Sequence, residues 1–200
     1  MKKKIFIIVF VVFFAFILPN KSNAYSSDPE QFISEIVDET KKILVKTNSQ
    51  AFKTTKLSEM ALKVVDIKGV GYYSLGNYRK ELTDDQLEEY MVLFEKYFVK
   101  SFTSRLSDYS EPKIEVLYAE IINPKYTIVR SLLLATDKKP AVKIDWRVYT
   151  KNPEKPLIRD LIIEGLSLAK TQKEEFSSII ESNNGDISKL FITLKKFIDK

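Results

Sequence analysis

The chain contains no cysteine and no histidine, and these two absences exclude several classes of functional site. It cannot form a disulfide bond, a Ser-His-Asp or Cys-His catalytic group, or a zinc site built on Cys or His ligands. It also has only five glycines and no long tract rich in Gly, Ser or Pro, so a flexible linker between domains is not expected. We therefore expect a single domain without a metal or other cofactor.

The first 24 residues have the layout of a secretory signal peptide. Three lysines follow Met1, an apolar run of 14 residues extends from Ile5 to Leu18, and Ser22 and Ala24 stand at the −3 and −1 positions of a cleavage site. The apolar run is shorter than the roughly 20 residues that a helix needs to cross a bilayer core. The pattern predicts a signal peptide at 1–24, cleavage before Tyr25, and one exported, soluble domain at 25–200.

Most of the excess positive charge belongs to this leader. The chain has 32 Lys and Arg against 27 Asp and Glu, and the leader contains four lysines and no acid. Subtracting those four from 32 leaves 28 basic residues against 27 acidic ones. Because nucleic-acid binding needs a basic stripe on the folded domain, we expect no nucleic-acid partner.

The first part of the predicted domain has the apolar spacing of helices. Asp28 and Pro29 are typical of a helix start, and Thr83 with Gln86 forms a capping box ahead of a long aromatic helix that reaches Leu106. Apolar spacing predicts another helix around 57–65 and a short helix or turn region over 66–78.

The end of the chain also favours helices. Thr171 and Glu174 form a second capping box, and Asp186 is the predicted cap of a last helix. Gly165, between the strands and these helices, is interpreted as a tight chain reversal.

Between these helical regions the apolar period changes to two, which is typical of strands. Four strands are predicted, at 113–122, 126–136, 141–150 and 157–164. Their short connections carry Asn, Pro and Asp, which favours an antiparallel meander. Together these elements predict an α+β domain with a curved four-stranded antiparallel sheet and helices packed on one face.

Seven short motifs then follow one another through the predicted domain. They are Val65-Asp66, Leu75-Gly76-Asn77-Tyr78-Arg79, Leu82-Thr83-Asp84-Asp85-Gln86, Phe94 with Tyr97-Phe98, Val142-Lys143-Ile144-Asp145-Trp146, Asp160-Leu161-Ile162-Ile163-Glu164-Gly165-Leu166-Ser167-Leu168, and Glu174-Glu175-Phe176. In this order and spacing the chain resembles the MlaC family, also called toluene-tolerance or ABC-transporter auxiliary proteins. It departs from the family at Leu157, where an aromatic residue is common, at Arg159, where Tyr is common, and at Thr171-Gln172, where Tyr-Arg is usual.

The resemblance implies a non-enzymatic phospholipid carrier of the Gram-negative periplasm. It implies a core like that of nuclear transport factor 2 enclosing an apolar cavity for acyl chains. It also implies a monomer that shuttles lipid between an outer-membrane lipoprotein complex and an inner-membrane ABC transporter with an MCE-domain protein, in support of outer-membrane lipid asymmetry.

Ten apolar residues are predicted to contact the lipid. They are Val142, Ile144, Trp146, Val148, Leu161 and Ile163 from the strands, and Val70, Leu75, Phe94 and Phe98 from the helices. Such residues are more often ordinary core, and which strand face lines the cavity is left open. Arg79, Lys143 and Arg147 are candidates for a phosphate contact, although a solvated charge is the commoner role of each.

Two other functions remain open on the sequence. A carrier of lipoproteins would use a similar apolar cavity. An enzyme would use Asp145 or Asp160 together with a Tyr in an apolar pocket. The segment from Ser167 to Lys170 matches S-x-x-K, but the S-D-N and K-T-G motifs of the corresponding hydrolases do not occur.

Overall fold

The computed structural model describes residues 25–107, 111–137 and 139–200, so the predicted signal peptide at 1–24 lies outside the described residues. Within these ranges the chain forms six α-helices, one 3-10 helix and five strands. In chain order they are α1 (Pro29–Ile43), α2 (Gln50–Val64), α3 (Ile67–Leu75), the 3-10 helix (Gly76–Lys80), α4 (Asp84–Leu106), β1 (Ile114–Asn123), β2 (Tyr126–Leu133), β3 (Val142–Tyr149), β4 (Leu157–Ile163), β5 (Leu166–Ser167), α5 (Leu168–Glu181) and α6 (Ser188–Asp199). In the described part of the chain, no helix is both long enough and apolar enough to span a bilayer.

The predicted starts of α1 and α4 are confirmed by their capping contacts. Asp28 accepts a hydrogen bond from the backbone amide of Gln31, and Pro29 occupies the first turn of α1. Thr83 and Gln86 form the reciprocal capping box of α4, in which each side chain accepts from the other residue's amide. Local side-chain chemistry is therefore sufficient to set these two boundaries.

The predicted cap of α5 is wrong by four residues and that of α6 by one. Helix α5 begins at Leu168, because Ser167 caps it by accepting from the amide of Lys170. Thr171 lies inside the helix, where its hydroxyl donates to the carbonyl of Ser167 at 3.0 Å. Asp186 accepts from the amide of Ser188, but Ile187 is the residue at the cap position of α6.

The strands form one antiparallel sheet in the order β1-β2-β3-β4-β5. The four predicted strands are present, and β5 adds a fifth strand of two residues after the reversal at Gly165, whose φ is +85°. A register shift between Arg147 and Val148 of β3 leaves Arg159 as an extra residue on β4. The predicted α+β class with an antiparallel meander is confirmed.

Alternation along the paired strands defines two faces of the sheet. The core face contains Val129 of β2, which lies opposite Trp146 of β3, which in turn lies opposite Leu161 of β4. The opposite face, which we call the groove face, contains Ile128 opposite Arg147, which lies opposite Asp160. Because side chains alternate with a period of two, neighbouring residues of one strand belong to different faces.

The hydrophobic core consists of two clusters. The first joins α1 and α2 to the core face, where Val129 and Val148 are fully buried. The second joins α3, α4, α5 and α6 around Tyr90 and Phe94. Val65, between α2 and α3, packs against both clusters. Helices α3 and α5 also contact β4, so the second cluster borders one end of the strand order.

Candidate functional site

An open groove of about 600 Å³ lies between the groove face of the sheet, the end of β1 and helices α3 and α5. Its volume is within the range of roughly 300–1,000 Å³ that small-molecule sites occupy. The apolar part of its lining is supplied by Val70, Ile122, Ile128, Ile162 and Ala169. Charged side chains from three strands supply most of the polar part, so the groove is amphipathic.

The first charged group in the groove is Arg130 on β2. Its guanidinium donates to Asp145 on β3 and to Glu120 on β1, both at 2.8 Å. Hydrogen bonding to Glu120, supported by the charge of Asp145, raises the pKa of Arg130 above its usual value. Cross-strand pairing places these three side chains on one face, and the resulting ion pairs join three neighbouring strands.

The second group is Asp160 of β4, whose side chain is almost completely buried. Its carboxylate accepts from Arg147 at 3.2 Å, from the hydroxyl of Ser167 at 2.6 Å and from the backbone amide of Ala169 at 2.9 Å. Asp160 therefore connects the sheet to the first turn of α5. Three donors compensate the burial of this charge.

Arg159 forms the third group at the end of the groove near α3. Its guanidinium donates to Asp66 at 2.6 Å and to the hydroxyl of Tyr126 at 2.7 Å, and it lies 3.5 Å from the ring centroid of Tyr149. Burial acts to lower the pKa of Arg159, but the hydrogen bonds with Tyr126 and Asp66 outweigh it and raise the pKa. Arg159, the extra residue of β4, thus connects the sheet to Asp66 at the start of α3.

Of the ten residues predicted to contact lipid, only Val70 lines this groove. Leu75 and Phe94 are buried in the second core cluster, and Phe98 is partly buried against it. The six predicted strand residues lie on the core face, where Val148 is fully buried. The remaining five are partly buried, and the indole of Trp146 donates to the hydroxyl of Ser131 at 2.9 Å.

The predicted phosphate contacts also separate in the structure. Arg147 lines the groove, whereas Lys143 is exposed and the guanidinium of Arg79 lies 5.4 Å from the ring centroid of Tyr72. Ile128 and Ile162 also line the groove, although they are not among the residues predicted to contact lipid. The sequence does contain a signal for them, because β2 and β4 carry an isoleucine at these positions, which alternate onto the groove face.

Ser167 and the two candidate acids have structural partners. The hydroxyl of Ser167 caps α5 and donates to Asp160. Asp145 and Asp160 each accept from an arginine. Asp145 therefore joins two strands, Asp160 joins β3 and β4 to α5, and Ser167 starts α5.

A comparison with family models finds one, described as MlaC protein, that matches residues 30–196. The chain belongs to the MlaC family. The predicted family is therefore confirmed over nearly the whole described domain.

A comparison with solved structures supports the same fold for this MlaC-family protein. A phospholipid-binding protein from Ralstonia solanacearum, solved in complex with a phospholipid, superposes with a TM-score of 0.68. The two chains are 19% identical, and the match covers 84% of this chain and 94% of that one. At this identity the likeness establishes the arrangement of helices and sheet.

Proposed function

We propose that this protein binds and carries phospholipid. Membership of the MlaC family carries the proposal, and the phospholipid bound by the Ralstonia protein of the same fold supports it. A carrier in water must bury acyl chains, because each buried CH2 group contributes about 0.8 kcal/mol. Binding of this kind needs a pocket and no catalytic group.

The groove is the place where we propose that the lipid binds. Ile122 and Ile162 offer the accessible apolar surface for an acyl chain, whereas Val70 and Ile128 are nearly buried in the wall. The guanidinium groups of Arg130 and Arg147 line the same groove. Arginine is well suited to bind a phosphate through two parallel hydrogen bonds. An amphipathic groove therefore matches the two chemical parts of a phospholipid.

The core face remains the alternative location for acyl chains. Val142, Ile144, Leu161 and Ile163 are only partly buried there, and no charged residue of β3 shares their face. That these residues and Trp146 contact lipid stays a prediction. A bound lipid would cover apolar surface that the two core clusters leave partly open.

Ile162 and Ile144 provide a matched pair of variants for the two locations. Both are partly buried isoleucines in central strands, but they belong to opposite faces. We expect Ile162→Glu to lose lipid and Ile144→Glu to retain it. The reverse result would place the acyl chains on the core face, beside the six strand residues that are predicted to contact lipid.

The measurement is solvent extraction of the natively purified protein followed by mass spectrometry, with folding of each variant checked by circular dichroism. We expect phospholipid from protein made in a Gram-negative host, and uptake of labelled phospholipid from vesicles. Absence of both would overturn the proposal. Recovery of acylated proteins in place of free lipid would favour the lipoprotein carrier.

The proposal also includes the route of the protein in the cell. We propose that the leader is cleaved before Tyr25 and that the monomer shuttles phospholipid through the periplasm, between an outer-membrane lipoprotein complex and an inner-membrane ABC transporter with an MCE-domain protein. Sequencing of the exported protein tests the cleavage. An N-terminus at Met1 would replace the free shuttle with a tethered one.

A further inference from the structure

One end of the sheet combines exposed apolar side chains with exposed lysines. This end, which we call the hairpin end, consists of residues 121–125 and 151–155. The first segment ends β1 and turns into β2, and the second lies in the connection from β3 to β4. The amide of Thr150 donates to the carbonyl of Lys125 at 2.9 Å, which holds the two segments side by side.

The apolar part of the hairpin end is unusually open to water. Ile121 is 80% exposed, the largest exposed fraction of any large hydrophobic residue in the described ranges, and its neighbour Ile122 is 51% exposed. Single exposed apolar residues are common on proteins, but these two adjacent isoleucines at a hairpin tip expose apolar surface on both sides of the strand, since Ile121 pairs with Thr127 and Ile122 lines the groove. A register shift between Ile121 and Asn123 interrupts the pairing with β2 at this point.

The charged part of the hairpin end is positive. Lys125, Lys151 and Lys155 are exposed, and Glu154 is the single acidic residue in the two segments. Within the described residues, none of these three lysines forms an ion pair. Three ammonium groups are thus available to an anionic surface.

We propose that the hairpin end is a docking surface for an anionic bilayer. Ile121 and Ile122 enter the boundary between headgroups and acyl chains, and the three lysines meet lipid phosphates. The chemistry favours a bilayer over a protein partner, because the exposed apolar surface is limited to two isoleucines and the two segments contain none of the aromatic anchors that are typical of protein interfaces. Flexible lysines also suit a fluid surface without fixed partner positions.

Docking at the hairpin end would place the groove next to the bilayer, and the role of this docking in lipid exchange rests on the proposed function. Ile122 and Asn123 belong both to the hairpin end and to the lining of the groove. Contact with a bilayer at this end therefore brings the mouth of the groove to the lipid headgroups. A lipid could pass between bilayer and groove with less of its length exposed to water.

Flotation of the exported, purified protein with vesicles tests the proposal. The probes are vesicles of phosphatidylcholine alone and vesicles that also contain phosphatidylglycerol. We expect binding to the anionic vesicles, weakening as salt is raised, and weak binding to the neutral ones. Replacing Lys125, Lys151 and Lys155 by Gln should reduce the affinity about fivefold per lysine, or about 100-fold together.

Ile121→Ser tests the apolar part, because Ile121 does not line the groove. We expect an affinity about tenfold lower. Ile192→Ser and Lys196→Gln are matched controls on α6, where both residues are exposed, and α6 packs on α4 and α5. These controls should bind anionic vesicles as the unchanged protein does.

Three results would overturn the docking proposal. They are no vesicle binding, equal binding to neutral and anionic vesicles, or equal losses in the hairpin-end and α6 variants. Binding of an acidic protein partner without vesicle binding would assign this surface to that partner. Lipid extraction is measured separately, so vesicle binding without retained lipid would contradict the proposed function and leave the docking surface in place.

Discussion

The carboxylate of Asp160 accepts a hydrogen bond from the backbone amide of Ala169 at 2.9 Å, and this contact joins β4 to the first turn of α5. The same carboxylate accepts from Ser167 and Arg147. A negative group beside the first amides of a helix also interacts favourably with the helix dipole. One buried side chain thus holds the start of α5 against the sheet.

Replacing Asp160 by Ala should lower the free energy of unfolding by about 2–3 kcal/mol, because it leaves the buried amide of Ala169 without an acceptor. The lost pair with Arg147 should contribute little to this cost, since that arginine side chain is 41% exposed and screened by water. Urea unfolding followed by circular dichroism measures the change.

The control for Asp160 is Glu174→Ala, which breaks the exposed pair of Glu174 with Lys170 on the same helix. We expect a change within about 0.5 kcal/mol. Equal losses from the two variants would contradict the structural role of Asp160.

Gly71 is required by close packing between α3 and α4. A Cβ atom added there would lie 2.8 Å from Cδ1 of Phe94 and 3.0 Å from Cε of Met91. Gly71→Ala should therefore destabilise the protein by about 1–2 kcal/mol, because overpacking outweighs the better helix propensity of Ala. Thermal and urea unfolding measure this loss.

A double-mutant cycle separates the packing effect at Gly71 from backbone effects. Phe94→Leu removes ring atoms near the added methyl group, so Gly71→Ala should cost less in that background. An unchanged cost would show that the contact with Phe94 is not its origin. A stabilising Gly71→Ala would contradict the packing argument altogether.

Tyr90 should make the protein sensitive to alkaline pH. The residue is fully buried, its hydroxyl donates to the carbonyl of Gly71 at 3.1 Å, and burial raises its pKa well above the ordinary value of 10.0. Above about pH 10 the unfolded chain loses this proton while the folded chain keeps it, so stability falls by up to about 1.4 kcal/mol per pH unit. Below that pH the contribution of the neutral hydroxyl is fully present.

Tyr90→Phe should reduce this alkaline slope in urea unfolding measured from pH 8 to about pH 11. At neutral pH it should cost about 1 kcal/mol through the lost hydrogen bond. Ile180→Val, in the same cluster, is a control of similar cost without an ionisable group. The idea fails if the two variants have the same slope above pH 10.

Strand positions could be predicted from the sequence because alternation and turn residues act locally. The predicted 126–136 and 157–164 correspond to Tyr126–Leu133 and Leu157–Ile163. The two-residue β5 could not be predicted, since a strand of this length has no period. The start of α5 was missed because Ser167 caps the helix together with Asp160, a partner in a strand.

The groove could not be predicted from alternation alone. On β4, Leu161 and Ile162 are both apolar but belong to opposite faces, so the pattern does not identify the face that stays open. Arg147 and Asp145 have the residue types of a solvent-facing strand side. Their cross-strand and buried partners depend on register, which single-strand patterns do not contain.

The boundary between the two core clusters runs along the groove. The groove is walled on one side by the sheet, which belongs to the first cluster, and on the other by α3 and α5, which belong to the second. Widening it requires parting of the contacts of Arg159 with Asp66 and of Asp160 with Ala169, and some adjustment of Val65, which packs against both clusters. We expect amide hydrogen exchange at the start of α3 and α5 to exceed that in β2, and uniform protection would contradict this. Opening of the groove would then cost the local free energy of separating these contacts, which is smaller than the free energy of unfolding the whole fold.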